Sequence, residues 1–430
     1  MAGLVQLSAD GRESPQEIDE VNRTFYSRFN YPWLAFMFPS VADPMCGPTF
    51  LNQEIGAWHD ERVPRDADIW VAGCGTNQAV FTALRFPDAR VLGTDLSPVS
   101  LGICRDTASQ LGITNLELEE RSINGEVAQD RFDYVVCTGV VHHNADPGAC
   151  LDGLRRALKP NGILEVMVYN AAHRTCVAAC QDAIRTLFQA DPSDAGLEAQ
   201  LALTRELIED VPFHNSVSTM LADFKDAPDA AVADAVLQPV ERSYTVASFD
   251  ALLRNSGLEI VLPCANQFDK AEGRLSWNLD FTTERAARLY DALPDIQRWD
   301  VTNSFLAEQS PMLWFYAQRS DSGIPRRTER DVCTGFLDSR FERYNSHVTN
   351  FVRVGETYQK AAQPVSCPSP GWPADETLRA IVARADEERS MRDVFTALGI
   401  RPTFATVNRA RIELTTPLFP YLRAVRSARG

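Results

Sequence analysis

Residues 66–98, DADIWVAGCGTNQAVFTALRFPDARVLGTDLSP, constrain the fold more tightly than any other stretch of the chain. Ile69 to Ala72 is an apolar run of strand length, with β-prone Trp70 and Val71. Gly73 and Gly75 follow, and glycine reaches backbone angles closed to other residues. Gln78 to Arg85 carries Val80, Phe81 and Leu84 on one helical face, and RVLGTD reads as a second strand ending at Asp95. Strand, glycine corner, helix, and a strand with a terminal acid make the first half of a doubly wound α/β domain. In such a unit the corner lets a ligand approach the backbone, and the helix start offers its unpaired N–H groups. Asp95, 22 residues after Gly73, can accept both hydroxyls of a ribose.

The departures narrow the ligand. A dinucleotide site wants a third glycine where this chain has Gln78, and no G-K-[ST] follows to make a phosphate loop. An adenosine without phosphates fits better, and S-adenosylmethionine is such a compound. Composition agrees in what it excludes. Lys and Arg number 42 against 58 Asp and Glu, a net charge of −16, which argues against a general nucleic-acid surface. No apolar run approaches membrane-spanning length and no secretory leader is evident, so the expectation is a cytoplasmic protein without membrane contact. The ten cysteines form no C-x-x-C pair and the six histidines no H-x-x-x-H spacing; the reading is reduced, buried thiols and no metal.

Four ordered landmarks resemble the class I S-adenosylmethionine-dependent methyltransferases. The opening stretch looks like their first motif, and VLGTDLSP like the second, with Ser97 and Pro98 as a helix cap and first turn. RFDYVVCTGVVHHNADP resembles the fourth strand and its loop, and LKPNGILEVMVYN the fifth strand. SFDALLRNSGLEIVLPC and MLWFYAQRS are similar to the sixth strand with its helix and to an antiparallel seventh. The resemblance implies an α/β, Rossmann-like seven-stranded methyltransferase fold with helical cap insertions and an additional, mostly helical C-terminal domain. Its expected parts are an aromatic-rich N-terminal helical cap (1–60), the donor-binding core (61–170), a helical cap insertion (171–240), the remainder of the core with an inserted loop (241–320) and an accessory module (321–430).

The resemblance further implies S-adenosyl-L-methionine as cofactor, S-adenosyl-L-homocysteine as product, and a donor site made of Gly73, Cys74, Gly75, Asn77, Asp95, Leu96, Ser122, Ile123, Thr138 and Gly139. The sequence departs from the family where an acid commonly precedes the glycines (Val71 or Ala72), at the usual third glycine (Asn77) and at the adenine-side acid (Ser122). Methyl transfer to a hydroxyl, ammonium or acidic carbon needs a base, and His142 and His143 follow the fourth strand, where ligands sit in an open sheet. Either histidine acts as base or both shape the loop; His143 is preferred because the run before them points His142 beside the cofactor.

Tyr169 and Asn170 end the fifth strand as candidate substrate contacts, or as a plain strand-end turn. Seven aromatics crowd residues 25–38, and Tyr26, Tyr31 and Trp33 either line the pocket or pack in the core. Residues 266–310 carry Trp277, Phe281 and Trp299, as shelter for an acceptor or as packing. ETLRAIVARADEERSMRDVFTALGIRPTFATVNRARIEL reads as three helices reminiscent of a helix-turn-helix, but residues 374–430 hold ten Arg against seven acids, too mild a balance for a DNA surface. The leading expectation is a methyltransferase for a small-molecule acceptor, of the kind found in specialised metabolism. Alternatives are a protein or peptide methyltransferase using the C-terminal module for recognition, and a non-catalytic donor-binding partner protein. A peptide or protein partner and a homodimer stay open.

Overall fold

The computed structural model describes residues 14–425, apart from 33, 126–127, 193–195, 266–276, 368–372, 374 and 418. Trp33 and the first part of the 266–310 stretch therefore lie outside the described residues.

The chain opens with α1 (Pro15–Arg28), started by a capping box in which Ser14 and Glu17 satisfy each other's backbone N–H groups. After β1 (Met37–Val41) comes α2 (Cys46–Glu54). The apolar pattern of residues 50–58 suggests a later helix; the observed one ends earlier because Gly56 adopts a φ of +71°, which turns the chain out of the helix.

The core then alternates as the sequence pattern requires. It runs β2 (Asp68–Ala72), α3 (Gln78–Arg85), β3 (Arg90–Asp95), α4 (Pro98–Gln110), β4 (Leu116–Glu120), β5 (Phe132–Thr138), α5 (Pro147–Ala157) and β6 (Leu158–Asn170). Ser97 caps α4 by accepting from the Ser100 N–H, with Pro98 in the first turn. An insertion of four helices follows: α6 (Ala171–Leu187), α7 (Leu197–Glu209), α8 (Ser216–Ala222) and α9 (Asp229–Val236). The core resumes with β7 (Ser243–Tyr244), α10 (Val246–Asn255), β8 (Leu258–Pro263), α11 (Glu284–Asp291), α12 (Asp295–Leu306) and β9 (Leu313–Arg319).

Seven of these strands lie in the order β4-β3-β2-β5-β6-β9-β8, and β7 pairs with β6 beside them. All are parallel except β9, which runs antiparallel to both β6 and β8. The central strands read as unbroken apolar runs because helices cover both faces, while the edge strand β4, LELEE, is largely exposed and acidic. The chain reverses its direction of winding at β2, which has β3 on one side and β5 on the other. That leaves a crevice at the C-terminal ends of the three strands.

Two additions pack on the core. α1 packs with the four inserted helices around Phe25, Phe29, Cys180, Ile184, Leu201, Leu221 and Val236, so the N-terminal segment and the insertion form one cap with its own apolar centre. The C-terminal region comprises α13 (Glu329–Asp338), β10 (Phe341–Arg343), β11 (Ser346–Val354), β12 (Thr357–Lys360), β13 (Val365–Cys367), α14 (Glu376–Arg384), α15 (Met391–Ala397), α16 (Phe404–Thr415) and β14 (Leu422–Ala424). Beside its helices it thus carries a sheet, in which β11 pairs with the N-terminal β1.

The region is sewn to the core by buried polar bonds. Gln53 of α2 donates to the carbonyls of Thr415 and Leu422 and accepts from the Ala424 N–H. Glu329 accepts from Arg298 Nη2 at 2.8 Å and Asn408 Nδ2 at 3.0 Å. α16, the third helix of the helix-turn-helix pattern, is buried over much of its length; Arg411 is buried and paired with Asn408, while the exposed Arg409 pairs with Glu413 one turn along the helix. No helix among the described residues is long and apolar enough to cross a membrane.

Candidate active site

At the end of β2 the backbone turns on Gly73, with φ of +69°, and Gly75, with φ of +53°. A Cβ on Gly73 would stand 2.3 Å from Val140 Cγ2, and one on Gly75 2.7 Å from the Tyr31 carbonyl oxygen, so only bare backbone fits the corner. The Gly73 and Cys74 N–H groups both donate to the Thr94 carbonyl, which ties the corner to β3. Asp95 lies beside it. Its Oδ2 accepts from the Gly75 N–H and its Oδ1 from the Ser97 N–H, each at 2.8 Å. Burial raises its pKa from the ordinary carboxylate value, against the pull of those N–H donors. Cys74, beside Cys104 and buried, is held as a thiol with its pKa well above the usual range, as befits a space-filling side chain.

These residues open onto a cavity of about 620 Å³. Of the expected donor site, Gly73, Cys74, Gly75, Asn77, Asp95, Leu96, Ile123, Thr138 and Gly139 line it. Ser122 stands just behind and donates to Asp19 Oδ2 of α1 at 2.5 Å; Asn124 donates to the other oxygen, and Asp19 itself borders the cavity. An acid is therefore present beside Ser122, delivered by the N-terminal helix from a hundred residues upstream in sequence. No local motif announces it.

The two histidines separate. They lie on a single helical turn, Val141–His143, held over the β5 end by Asn144, which donates to the Val140 carbonyl. His143 borders the cavity, with Nδ1 2.7 Å from the Val240 carbonyl oxygen, an arrangement that puts the ring proton on Nδ1 and leaves Nε2 as the basic nitrogen. Burial pulls its pKa down to about 4. His142 lies behind it rather than beside the expected cofactor position, stacked between His143 and Tyr169 at 4.0 Å from each. Burial holds it neutral, with its pKa well below the usual range.

The expected acceptor contacts also divide. Tyr26 and Tyr31 line the cavity, and Tyr26 accepts from Gln238 Nε2 at 2.6 Å. Tyr169 does not line it; its ring is covered by His142 and by the Arg174 guanidinium at 4.3 Å. Asn170 is fully buried and committed elsewhere: it donates to Asn303 and the Pro311 carbonyl and accepts from the Ala172 N–H to cap α6. The strand-end turn is the physical role of Asn170. Trp277 and Trp299 are fully buried against Phe315, so they serve as packing.

Sequence reasoning missed the lower half of the cavity. Below Thr138 it continues between the sheet and the helices α2 and α3, lined by Phe50, Phe81, Phe86, Tyr134, Glu165, Trp314 and Tyr316. Glu165 is buried and accepts from the Tyr134 hydroxyl and from Trp314 Nε1. A signal was available: an acid inside the otherwise apolar strand ILEVMV is a buried charge awaiting a reason.

Comparison with known proteins agrees with this geometry. The family model described as a methyltransferase domain matches residues 72–195. The chain carries a class I methyltransferase domain. The domain is similar to the ubiquinone biosynthesis O-methyltransferase of Cereibacter sphaeroides, 37% identical over 130 residues that cover 28% of this chain and 50% of that protein. An uncharacterized protein of Synechococcus is 26% identical over 53% of the chain and 54% of its own length. The chain thus spans about half the length of these curated relatives. Among solved structures, PKMT2 from Rickettsia typhi shares the fold of the methyltransferase domain and its additions with a TM-score of 0.55, 17% identity, and coverage of 92% of this chain and 77% of that one.

Proposed function

We propose that the chain is an S-adenosylmethionine-dependent methyltransferase acting on a small-molecule acceptor. The observation that carries this reading is the single cavity in which the glycine corner and Asp95 open directly into an aromatic-walled lobe under a helical cap. A largely apolar recess with a few placed polar groups suits a small guest better than a polypeptide lying across an open surface.

The residues present fit the donor. Close approach needs the bare backbone that Gly73 and Gly75 provide, and Asp95 keeps lone pairs beyond its two N–H bonds for ribose hydroxyls. Leu96 and Ile123 would flank the adenine, with Asp19 at its edge. When bound, the donor supplies a methyl group already activated on a sulfonium. The chain's own share is to align the acceptor and exclude water, and alignment alone is worth about 7–11 kcal/mol in well-oriented reactions. Thr138, Gly139 and His143 border the space beside the donor-side residues. Neutral His143 has its Nε2 lone pair available to take a proton from the acceptor. The cap meets the loop after β5 through Asn22 of α1, which borders the cavity and donates to the His143 carbonyl at 2.9 Å.

Calorimetric titration with S-adenosylhomocysteine tests the donor site: binding to the native chain and its loss in Asp95→Ala are expected, and equal affinity would remove the ribose assignment. Formation of S-adenosylhomocysteine from the donor, followed with small-molecule pools and with peptide pools, tests the acceptor. Turnover confined to peptides would overturn the small-molecule reading, and donor binding without any turnover would leave a partner protein.

A further inference from the structure

The group that fixes the His143 tautomer is held in place from outside the cavity. His143 Nδ1 faces the Val240 carbonyl oxygen at 2.7 Å, and a carbonyl can only accept, so the ring proton sits on Nδ1. Val240 belongs to residues 237–242, between α9 and β7, which form neither helix nor strand, so no sheet ladder or helix aims its carbonyl. Side chains and two short contacts hold the stretch instead. On the histidine side, the Arg242 N–H donates to the His142 carbonyl at 3.0 Å and Arg242 Nη2 to the Ala145 carbonyl at 3.0 Å. On the other side, Glu241 meets Arg174 of α6 in a fork, Nε to Oε1 at 2.8 Å and Nη2 to Oε2 at 2.5 Å, with both side chains 6% exposed. Two turns further along α6, Gln181 donates to the same Oε2 at 3.2 Å, and one turn beyond it Arg185 donates to the Gln238 carbonyl at 3.0 Å. The Val240 carbonyl and the Glu241 N–H share one planar peptide unit, so a clamp on Glu241 restrains the direction of that carbonyl. Arg174 also covers the Tyr169 ring at 4.3 Å, and that ring packs on His142 at 4.0 Å, which backs the histidine turn by a second route.

We propose that Arg174 and Glu241 are positioning residues for methyl transfer: their pair holds the Val240 carbonyl on His143 Nδ1 and so keeps Nε2 as the unprotonated nitrogen, the one able to take a proton from the acceptor. With the carbonyl turned away, the ring can carry its proton on Nε2, and in that form it donates where the reaction needs an acceptor. Neither Arg174 nor Glu241 lines the cavity, so both act through the peptide between them and the imidazole. Apolar side chains of similar volume serve stability as well as a buried ion pair does, so what this pair adds is direction: two bonds whose geometry fixes one peptide unit. The proposal rests on the reading of His143 as the base of a methyl-transfer site.

The test reads the imidazole nitrogens of the full chain, carrying isotope-labelled histidine, in proton–nitrogen correlation spectra at about pH 8, where imidazoles are neutral. The His143 signals are assigned by their disappearance in His143→Gln. In the native chain Nδ1 should carry the proton and Nε2 should not, with or without S-adenosylhomocysteine. Glu241→Gln keeps the shape and loses the charge, and Arg174→Lys keeps the charge and loses the fork. Each should move the two nitrogen shifts toward one another as the tautomers mix, while S-adenosylhomocysteine affinity by calorimetry stays unchanged. A native His143 with its proton on Nε2 overturns the proposal whether or not the variants fold. A native-like His143 spectrum in both variants also overturns it, and so does loss of S-adenosylhomocysteine affinity alongside the tautomer, since the pair would then support the whole site rather than the base. Failure of both conservative variants to fold would make the pair a stability element and counts against the proposal equally. Failure of S-adenosylhomocysteine to bind the native chain would instead overturn the proposed function, and the tautomer is still read without it.

Discussion

Asp234→Asn should remove a loss of stability that the native chain undergoes as the pH rises from about 4 to about 7, and the structure sets the size of the effect. Asp234 sits on α9 at the seam between the cap and α1, 8% exposed. Its hydrogen bond is a long one, from the Tyr26 hydroxyl at 3.4 Å. The nearby cation, Arg174, is already committed to Glu241, through Nε to Oε1 at 2.8 Å and Nη2 to Oε2 at 2.5 Å. Burial therefore dominates and pushes the Asp234 carboxyl up from 3.8 to about 7. Between those values the folded chain holds a proton that the unfolded chain has released. Raising the pH then favours unfolding: the stability present below pH 4 is lost progressively up to about pH 7. The full difference of about three units is worth roughly 4 kcal/mol, at ~1.4 kcal/mol per unit. Asparagine does not titrate, so any fixed effect of the substitution drops out of the comparison across pH. Urea unfolding of native and variant chains at pH 5, 6, 7 and 8 should show the variant gaining on the native protein by about 1.4 kcal/mol per unit up to pH 7, then levelling. A stability difference flat from pH 5 to pH 8 would refute the argument.

Gly75→Ala should cost about 1–3 kcal/mol, because φ is +53° and the new methyl would stand 2.7 Å from the Tyr31 carbonyl; a thermal melt at the native temperature would show that the 31–32 segment yields freely. His143→Ala should lower turnover on the order of 100-fold with little change in S-adenosylhomocysteine affinity, and native turnover would reduce it to a loop-shaping residue. With its pKa near 4, the native rate should stay flat from pH 5.5 to 8, so an acid limb near 6.5 would contradict the buried imidazole. Glu329→Ala removes the carboxylate paired with the buried Arg411 and one of the two on the buried Arg298, which keeps Asp295, and should destabilise by about 3–5 kcal/mol in urea titration; a loss under about 1 kcal/mol would mean that the C-terminal region is not held through this carboxylate.

Where neighbouring residues in the chain define the structure, the sequence was sufficient. The helix from Gln78 to Arg85, the strand from Arg90 to Asp95 and the Ser97-Pro98 cap have the expected limits, since periodicity, a turn glycine and a capping side chain all act within a few residues. The end of helix α2 was not legible, because apolar residues continue past Gly56 and it took the backbone angle there to decide it. Placement of the site residues was legible to the same degree. The glycine corner and Asp95 are local and line the cavity, whereas Tyr169 and Asn170 were expected there from strand position alone and are claimed by α6, Arg174 and residues 303–311.

What the sequence by itself determined is the unit that bends at Gly73 and Gly75 and ends at Asp95, and with it the doubly wound sheet, because each step depends on backbone preference and hydrophobic period over short spans. Tertiary structure alone decided that Asp19 meets Ser122, that α1 and the 171–236 helices share one apolar centre, and that Glu165 faces Tyr134 and Trp314 across three strands. Those contacts join residues about 30 to 210 positions apart, and which of them form is settled by how whole elements pack, a property no local pattern encodes.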